Sequence, residues 1–282
     1  MTDKKVELVS LQKMKKNQTP ITMVTAYDFP TARLVDAAGV DTVLVGDSLA
    51  NVVLGYPDTI PVTMDEMLHH CRAVARGLQR ALLIGDMPFM SYNISIPKAI
   101  ENAGRFLKEG RVAAVKVEGG GWVAETVAAL VQAGIPVVGH LGLTPQTASM
   151  LGGYRVQGRD AKSASKMLDH ALALQQAGAF ALVLECVPAR LGKLMSQKLA
   201  IPVIGIGAGP DTDGQVLVFH DLVGIEAGFT PKFVKHFAEV GNQMKQAVED
   251  YCREVQKRSF PSKEHSFSIS DEEFAELEKA LN

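Results

Sequence analysis

Cysteine is scarce in this chain of 282 residues: Cys71, Cys186 and Cys252 are odd in number and far apart. Such a set argues against a disulfide framework and for a reducing cytosol. No stretch reaches the roughly 18 uninterrupted apolar residues of a membrane span. The N-terminus, MTDKKVELVSLQKMKK, lacks the apolar core of a secretory signal, so a cytoplasmic protein with no membrane partner is expected. Neither sign of charge prevails: 29 Lys and Arg stand against 31 Asp and Glu, a formal net charge of −2. A broad basic field for nucleic acid is therefore not expected. There is no His and Cys cluster of zinc-binding type, and the early G-x-G-x-x-G of a dinucleotide-binding sheet is missing.

What is present is a repeated ending. Four apolar runs finish on a carboxylate: VLVGDS (43–48), LLIGDMP (82–88), AVKVEGG (114–120) and LVLECVP (182–188). Near-continuous Val, Leu and Ile bounded by Gly or Pro marks strands of a parallel sheet covered on both faces. A carboxylate at the end of such a strand is costly to bury without a partner. Asp47, Asp86, Glu118 and Glu185 would gather at one end of one sheet, which is an active-site pattern.

A second regularity sets the architecture. Gly39, Gly110, Gly134 and Gly178 each close a helical-looking segment a few residues before an apolar run. A glycine there accepts the left-handed conformation that ends a helix, so each string reads as helix, stop, strand. ITMVTAYD, ALLIGD and IPVIGIGAG bring the strands to seven, and an eighth is expected near VLVFHD (216–221). Strands alternating with helices in seven or eight repeats predict an α/β fold, a (β/α)₈ TIM barrel. With 47% apolar residues the chain can form one large core, expected as a single domain over 1–282. A helix within the first 20 residues would cover the barrel's N-terminal face. A further amphipathic helix is expected over 234–257, and an acidic C-terminal tail at about 268–282.

In a barrel, alternate strand positions point inward and the C-terminal mouth holds the chemistry. Lys116 and Glu118 then share the interior while Val115 and Val117 face the helices. Asp47 with Ser48, and Asp86, could instead cap the following helices. Taken together with Glu118, they point to a hard cation such as Mg²⁺, which is held by carboxylates and water. Glu185, flanked by Leu and Val, is expected to have a raised pKa suited to a general base; the alternative is pairing with a neighbouring strand's Lys or Arg. His140 reads as a hydrogen-bonded interior histidine, IGIGAG (204–209) as a tight or phosphate-binding turn, and GGYRVQGR (152–159) as a loop near the mouth.

The motifs TAYD, VLVGDS, D-x-P-F (86–89), VKVEGG, GHLGLTPQ, GGYRVQGR, LVLECVP, IPVIGIGAG and DGQVLVFHD occur in this order. Together they resemble the ketopantoate hydroxymethyltransferase family, from about residue 11 to 267. The resemblance implies a barrel of the phosphoenolpyruvate/pyruvate-binding type and a homodecamer, a pentamer of dimers. It implies one Mg²⁺ per subunit at Asp47, Asp86 and Glu118, the last through water. It implies substrate contacts from Asp47, Ser48, Asp86 and Lys116, and Glu185 as proton acceptor. The implied reaction, in pantothenate biosynthesis, adds a hydroxymethyl group from the co-substrate 5,10-methylenetetrahydrofolate to 3-methyl-2-oxobutanoate through a metal-stabilised enolate.

Two rival readings remain at this level. A metal-dependent C–C lyase of a 2-oxo acid would use the same barrel, but usually carries a reactive Cys in a KKCGH-like loop, absent here. A barrel that only binds an oxo acid would not need Lys116, Glu118 and Glu185 together.

Overall fold

The computed structural model describes residues 4–225 and 230–282. Eight parallel strands close into a barrel in sequence order: β1 Ile21–Thr25, β2 Thr42–Val45, β3 Leu82–Asp86, β4 Ala114–Glu118, β5 Val137–Gly142, β6 Ala181–Glu185, β7 Val203–Ile206 and β8 Gly214–Leu217. The helices are α1 Leu8–Lys16, α2 Phe29–Ala37, α3 Leu49–Val52, α4 Met64–Gly77, α5 Ile96–Lys108, α6 Ala124–Gln132, α7 Ala161–Gln176, α8 Ala189–Lys198, α9 Phe219–Val223, α10 Val240–Gln256 and α11 Asp271–Leu281. The expected TIM barrel, with an N-terminal helix and extra C-terminal helices, is what the chain forms.

Alternation along the strands sorts side chains into two cores. Val43, Val45, Val115, Val117, Leu182 and Leu184 face outward and pack with helix residues such as Phe106, Leu130 and Leu174. Met23, Leu44, Ile84, Ala114, Val138, Val183 and Ile204 face inward and join Leu11 of α1 in a second cluster. Leu11 is fully buried, and Lys15 ties α1 down by donating to Asp213 Oδ2 at 2.6 Å and to the Ser196 carbonyl at 2.8 Å. The expected cover of the N-terminal face is this helix.

Helix starts follow their sequence signals. Asp28 caps α2, Ser95 caps α5 and Asp160 caps α7, each accepting from a backbone N–H three residues on. Thr63 and Glu66 form a reciprocal capping box on α4. Of the four helix-stop glycines, Gly39, Gly134 and Gly178 have positive φ, whereas at Gly110 the left-handed residue is its neighbour Arg111, φ 57°. Gly110 is needed for close approach instead: a β-carbon there would lie 2.7 Å from the Phe106 carbonyl.

Two expected elements are displaced. The eighth strand begins two residues early because Asp213 and Gly214 pair with Ile21 of β1, and 219–221 turn into α9. The amphipathic helix begins at Val240 rather than 234. Residues 231–234 form a turn closed by Val234 N–H on the Pro231 carbonyl. The described residues sort into two compact units, 4–222 with 230–235, and 223–225 with 236–282. In the second, Gly241 N–H donates to the Gly224 carbonyl at 2.9 Å, which satisfies one of the donors a helix start leaves open. Along α10 the exposed Met244, Val248, Tyr251 and Val255 recur at helical spacing on one face.

Candidate active site

Parallel register brings the inward residues of β3, β4, β5 and β6 to one end. Asp86 pairs with Lys116, Glu118 with His140, and Gly142 with Glu185. Asp47 follows β2 into the same mouth. Asp47, Asp86, Lys116, Glu118 and His140 are all buried.

The capping alternative for Asp47 and Asp86 does not hold. Ser48, not Asp47, stands at the N-cap of α3, and its side chain caps nothing; its hydroxyl lies 2.8 Å from the hydroxyl of buried Tyr27. Asp47 Oδ2 instead accepts from Gln146 Nε2 at 2.9 Å. Asp86 Oδ2 lies 2.8 Å from Lys116 Nζ and accepts from Asp47 N–H at 3.2 Å. Glu118 Oε1 lies 3.5 Å from Lys116 Nζ and 3.0 Å from His140 Nδ1, while Oε2 accepts from Gln146 N–H at 3.1 Å.

Burial pushes the carboxyls of Asp47, Asp86 and Glu118 above the usual range; Lys116 opposes this at each without cancelling it. Burial alone would lower the Lys116 ammonium, but Asp86, Glu118 and Asp47 outweigh it and hold the lysine charged. Three carboxylates against one ammonium leave a formal charge of −2, suited to a divalent cation.

Asp47, Asp86 and Glu118 each offer an oxygen within 4.8 Å of the others, the one such cluster among the described residues. Asp86 Oδ1 is buried with no hydrogen-bond partner. An orphaned carboxylate oxygen on a member of a three-acid cluster fits a cation, because leaving it bare is costly. An all-oxygen donor set suits Mg²⁺ or a similar hard ion.

Glu185 lies on the far side of the His140 ring from Glu118, partly accessible, with Oε2 3.2 Å from His140 Nε2. That separation is within ion-pair reach, and Nε2 has no well-formed hydrogen bond. Burial and then Lys116 lower the His140 pKa, so the imidazole is neutral near pH 7 and the contact is not a full charge pair. Among the described residues no Lys or Arg pairs with Glu185; its neighbour is this neutral histidine. Above it, Leu143 N–H donates to the Glu185 carbonyl at 2.9 Å, and Gly142 permits that crossing with φ 95°, since a β-carbon would strike the same carbonyl.

No local pattern marks Gln146, Tyr92 or Tyr27 as buried site residues, although Gln146 lies within GHLGLTPQ and Tyr27 within TAYD. The loop 152–159 carries the exposed Tyr154, whose hydroxyl pKa is raised by burial and by the acids Asp58, Asp47, Glu185 and Glu118. The glycines of IGIGAG have packing reasons: β-carbons at Gly205 and Gly207 would crowd Thr212 and Phe233.

Solved structures share the barrel. A phosphonopyruvate hydrolase superposes with a TM-score of 0.63 at 13% identity, covering 99% of this chain and 96% of its own. A 2,3-dimethylmalate lyase of the PEP mutase/isocitrate lyase superfamily gives 0.58 at 16% identity, covering 98% and 99%. At such identities the likeness is one of fold. Sequence relatives are far nearer. The 3-methyl-2-oxobutanoate hydroxymethyltransferase of Moorella thermoacetica is 57% identical over 263 residues, 93% of this chain and 98% of that protein. Its namesake from Carboxydothermus hydrogenoformans is 54% identical over 268 residues, covering 95% and 97%. The profile described as ketopantoate hydroxymethyltransferase matches residues 5–263, and the chain is an enzyme of that family.

Proposed function

We propose that this enzyme transfers a hydroxymethyl group from 5,10-methylenetetrahydrofolate to 3-methyl-2-oxobutanoate, giving ketopantoate and tetrahydrofolate for pantothenate synthesis. The observation that carries the reading is one mouth holding Asp47, Asp86, Glu118 and Lys116, with Glu185 linked to Glu118 through the His140 ring. Asp47 and Asp86 each keep one oxygen engaged by the protein and one without a protein donor among the described residues. Those spare oxygens are suited to direct coordination. Both oxygens of Glu118 have protein neighbours, which suits a ligand acting through water.

When bound, Mg²⁺ supplies Lewis-acid stabilisation of the charge that builds on the keto oxygen of the oxo acid. Lys116, held cationic, draws the anionic substrate into a site that is otherwise acidic. Ser48 offers a hydroxyl to the same substrate. Glu185 takes the C3 proton, and its partial exposure lets that proton leave to solvent. In the net reaction the methylene carbon gains a C–C bond to C3 and a bond to a water oxygen while both of its C–N bonds, to N5 and N10, break. The C3 proton and the two water protons end on the new hydroxyl and on the two folate nitrogens. The folate carries the activated carbon, so the protein's tasks are orientation and electrostatics.

The apolar stripe of Met244, Val248, Tyr251 and Val255 supports a homo-oligomer, which we read as a decamer built from five dimers. The three cysteines are free, which suits the cytoplasm. Among the described residues no helix is long and apolar enough to cross a membrane.

The test is formation of ketopantoate from the oxo acid and methylenetetrahydrofolate, with and without a chelator. Turnover that needs both substrates and a divalent cation is the expected result. Cleavage of a 2-oxo acid without folate would favour the lyase reading instead.

A further inference from the structure

Gln146 is 2% exposed, yet every hydrogen-bonding atom of its side chain has a partner in the mouth. Nε2 donates to Asp47 Oδ2 at 2.9 Å and to the Met87 carbonyl at 2.9 Å. Oε1 accepts from the Tyr92 hydroxyl at 2.8 Å, and the backbone N–H donates to Glu118 Oε2 at 3.1 Å. One residue therefore touches the ends of β2, β3 and β4 and two of the three clustered acids.

The amide has one permitted orientation. Turned over, its oxygen would face a carboxylate and a carbonyl, neither of which can donate. Tyr92 holds the arrangement from the other side: its hydroxyl also accepts from Glu118 N–H at 3.1 Å. The backbone is fixed as well, since Gln146 follows Pro145 in a single 3₁₀ turn closed by Thr147 N–H on the Thr144 carbonyl.

We infer that Gln146 is a positioning residue for the metal site: its amide and backbone N–H hold Asp47 and Glu118 in a geometry ready to receive the cation. The inference rests on the reading of Asp47, Asp86 and Glu118 as that site. By occupying Asp47 Oδ2, the amide fixes the carboxylate and leaves Oδ1 without a protein donor among the described residues. It also supplies donors among three mutually repelling carboxylates without adding charge. Gln146 touches no reacting atom and acts through the ligands. Removing such an outer partner typically weakens metal affinity 10- to 100-fold.

The probe is Mn²⁺, titrated into the full-length protein without substrate and followed by the electron paramagnetic resonance signal of the free ion. Gln146→Met keeps length and volume and retains the backbone N–H, so only the amide is lost. We expect Mn²⁺ to bind roughly 10- to 100-fold more weakly, with kcat recovering when Mn²⁺ is raised to saturation. Wild-type Mn²⁺ affinity per folded molecule, beside a lowered melting temperature, would reduce Gln146 to a packing residue and overturn the inference. If Gln146→Met does not fold, Tyr92→Phe removes the hydroxyl that orients the amide. Several-fold weaker Mn²⁺ binding there supports the inference and unchanged binding overturns it. Failure of the wild-type protein to bind Mn²⁺ would instead remove the metal reading itself.

Discussion

Asp86 and Lys116 face each other across β3 and β4 with Oδ2 and Nζ 2.8 Å apart, while the second oxygen of that buried carboxylate has no partner. The lysine satisfies half of the aspartate and leaves the other half without a donor, in a cluster with Asp47 and Glu118. Asp86→Asn keeps an oxygen for Lys116 and removes the negative charge. Calorimetric titration of Mg²⁺ in the presence of the oxo acid should then show at least about a 100-fold loss, with the circular dichroism of the fold unchanged. Wild-type binding of metal and substrate in this variant would remove Asp86 from the site.

Lys116 also tests the kind of chemistry. A buried lysine that loses its proton can form a Schiff base with a keto acid. Here three acids hold it charged against the pull of burial, and Asp86 sits on its ammonium. Borohydride added with the oxo acid should therefore leave the intact mass unchanged and the activity whole. An adduct mapped to Lys116 would replace the metal mechanism with an imine one.

Glu185 can be isolated from the second substrate. With Mg²⁺ alone, the enzyme should exchange the C3 proton of the oxo acid with deuterated water. Glu185→Gln preserves shape and removes basicity, so exchange should fall by roughly 10² to 10⁴, the usual loss for a general base. Oxo-acid binding and melting temperature should stay near wild type, because the partner His140 is neutral and little charge pairing is lost. A variant that melts early but exchanges normally would make Glu185 structural.

A pH prediction comes from α4, away from the mouth. Glu66 accepts from Thr63 N–H at 2.7 Å, from the Thr63 hydroxyl at 2.8 Å and from Tyr56 OH at 3.1 Å. The two Thr63 bonds, with a smaller contribution from Tyr56, hold its carboxyl below the usual range. With the folded pKa lower than the unfolded one, the stabilisation is present above the ordinary glutamate value of about 4.3. It is lost as pH falls through the folded value. Because the site faces solvent, the effect is small, about half a kcal/mol. Glu66→Gln should melt roughly 1–2 °C below wild type at pH 7, and the two curves should merge at the acid end. A gap that persists in acid would assign the difference to packing.

Much of this was readable beforehand because the strands are covered on both faces. Burial there demands Val, Leu and Ile, so an interruption such as Lys116 or Glu118 stands out, and the period of two assigns it to the interior. Asp47 and Asp86 were ambiguous, since a strand-end acid looks the same whether it caps a helix or faces a cation. Only the Gln146 amide on one and Lys116 on the other separate the cases. Gln146 was invisible for a related reason: its partners lie 99 and 59 residues away in Asp47 and Met87, and no local pattern records such distances. At α10, the apolar spacing continues upstream of Val240, but a turn at Pro231 intervenes and no pattern of side chains reports it.

The plug that α1 forms through Leu11, pinned by Lys15 on Asp213, has a kinetic meaning. Side chains fill the barrel below the acids, and α1 seals that filling from beneath. Whatever enters the acid-lined mouth leaves by the way it came, so entry and release are both gated at the C-terminal end of the strands.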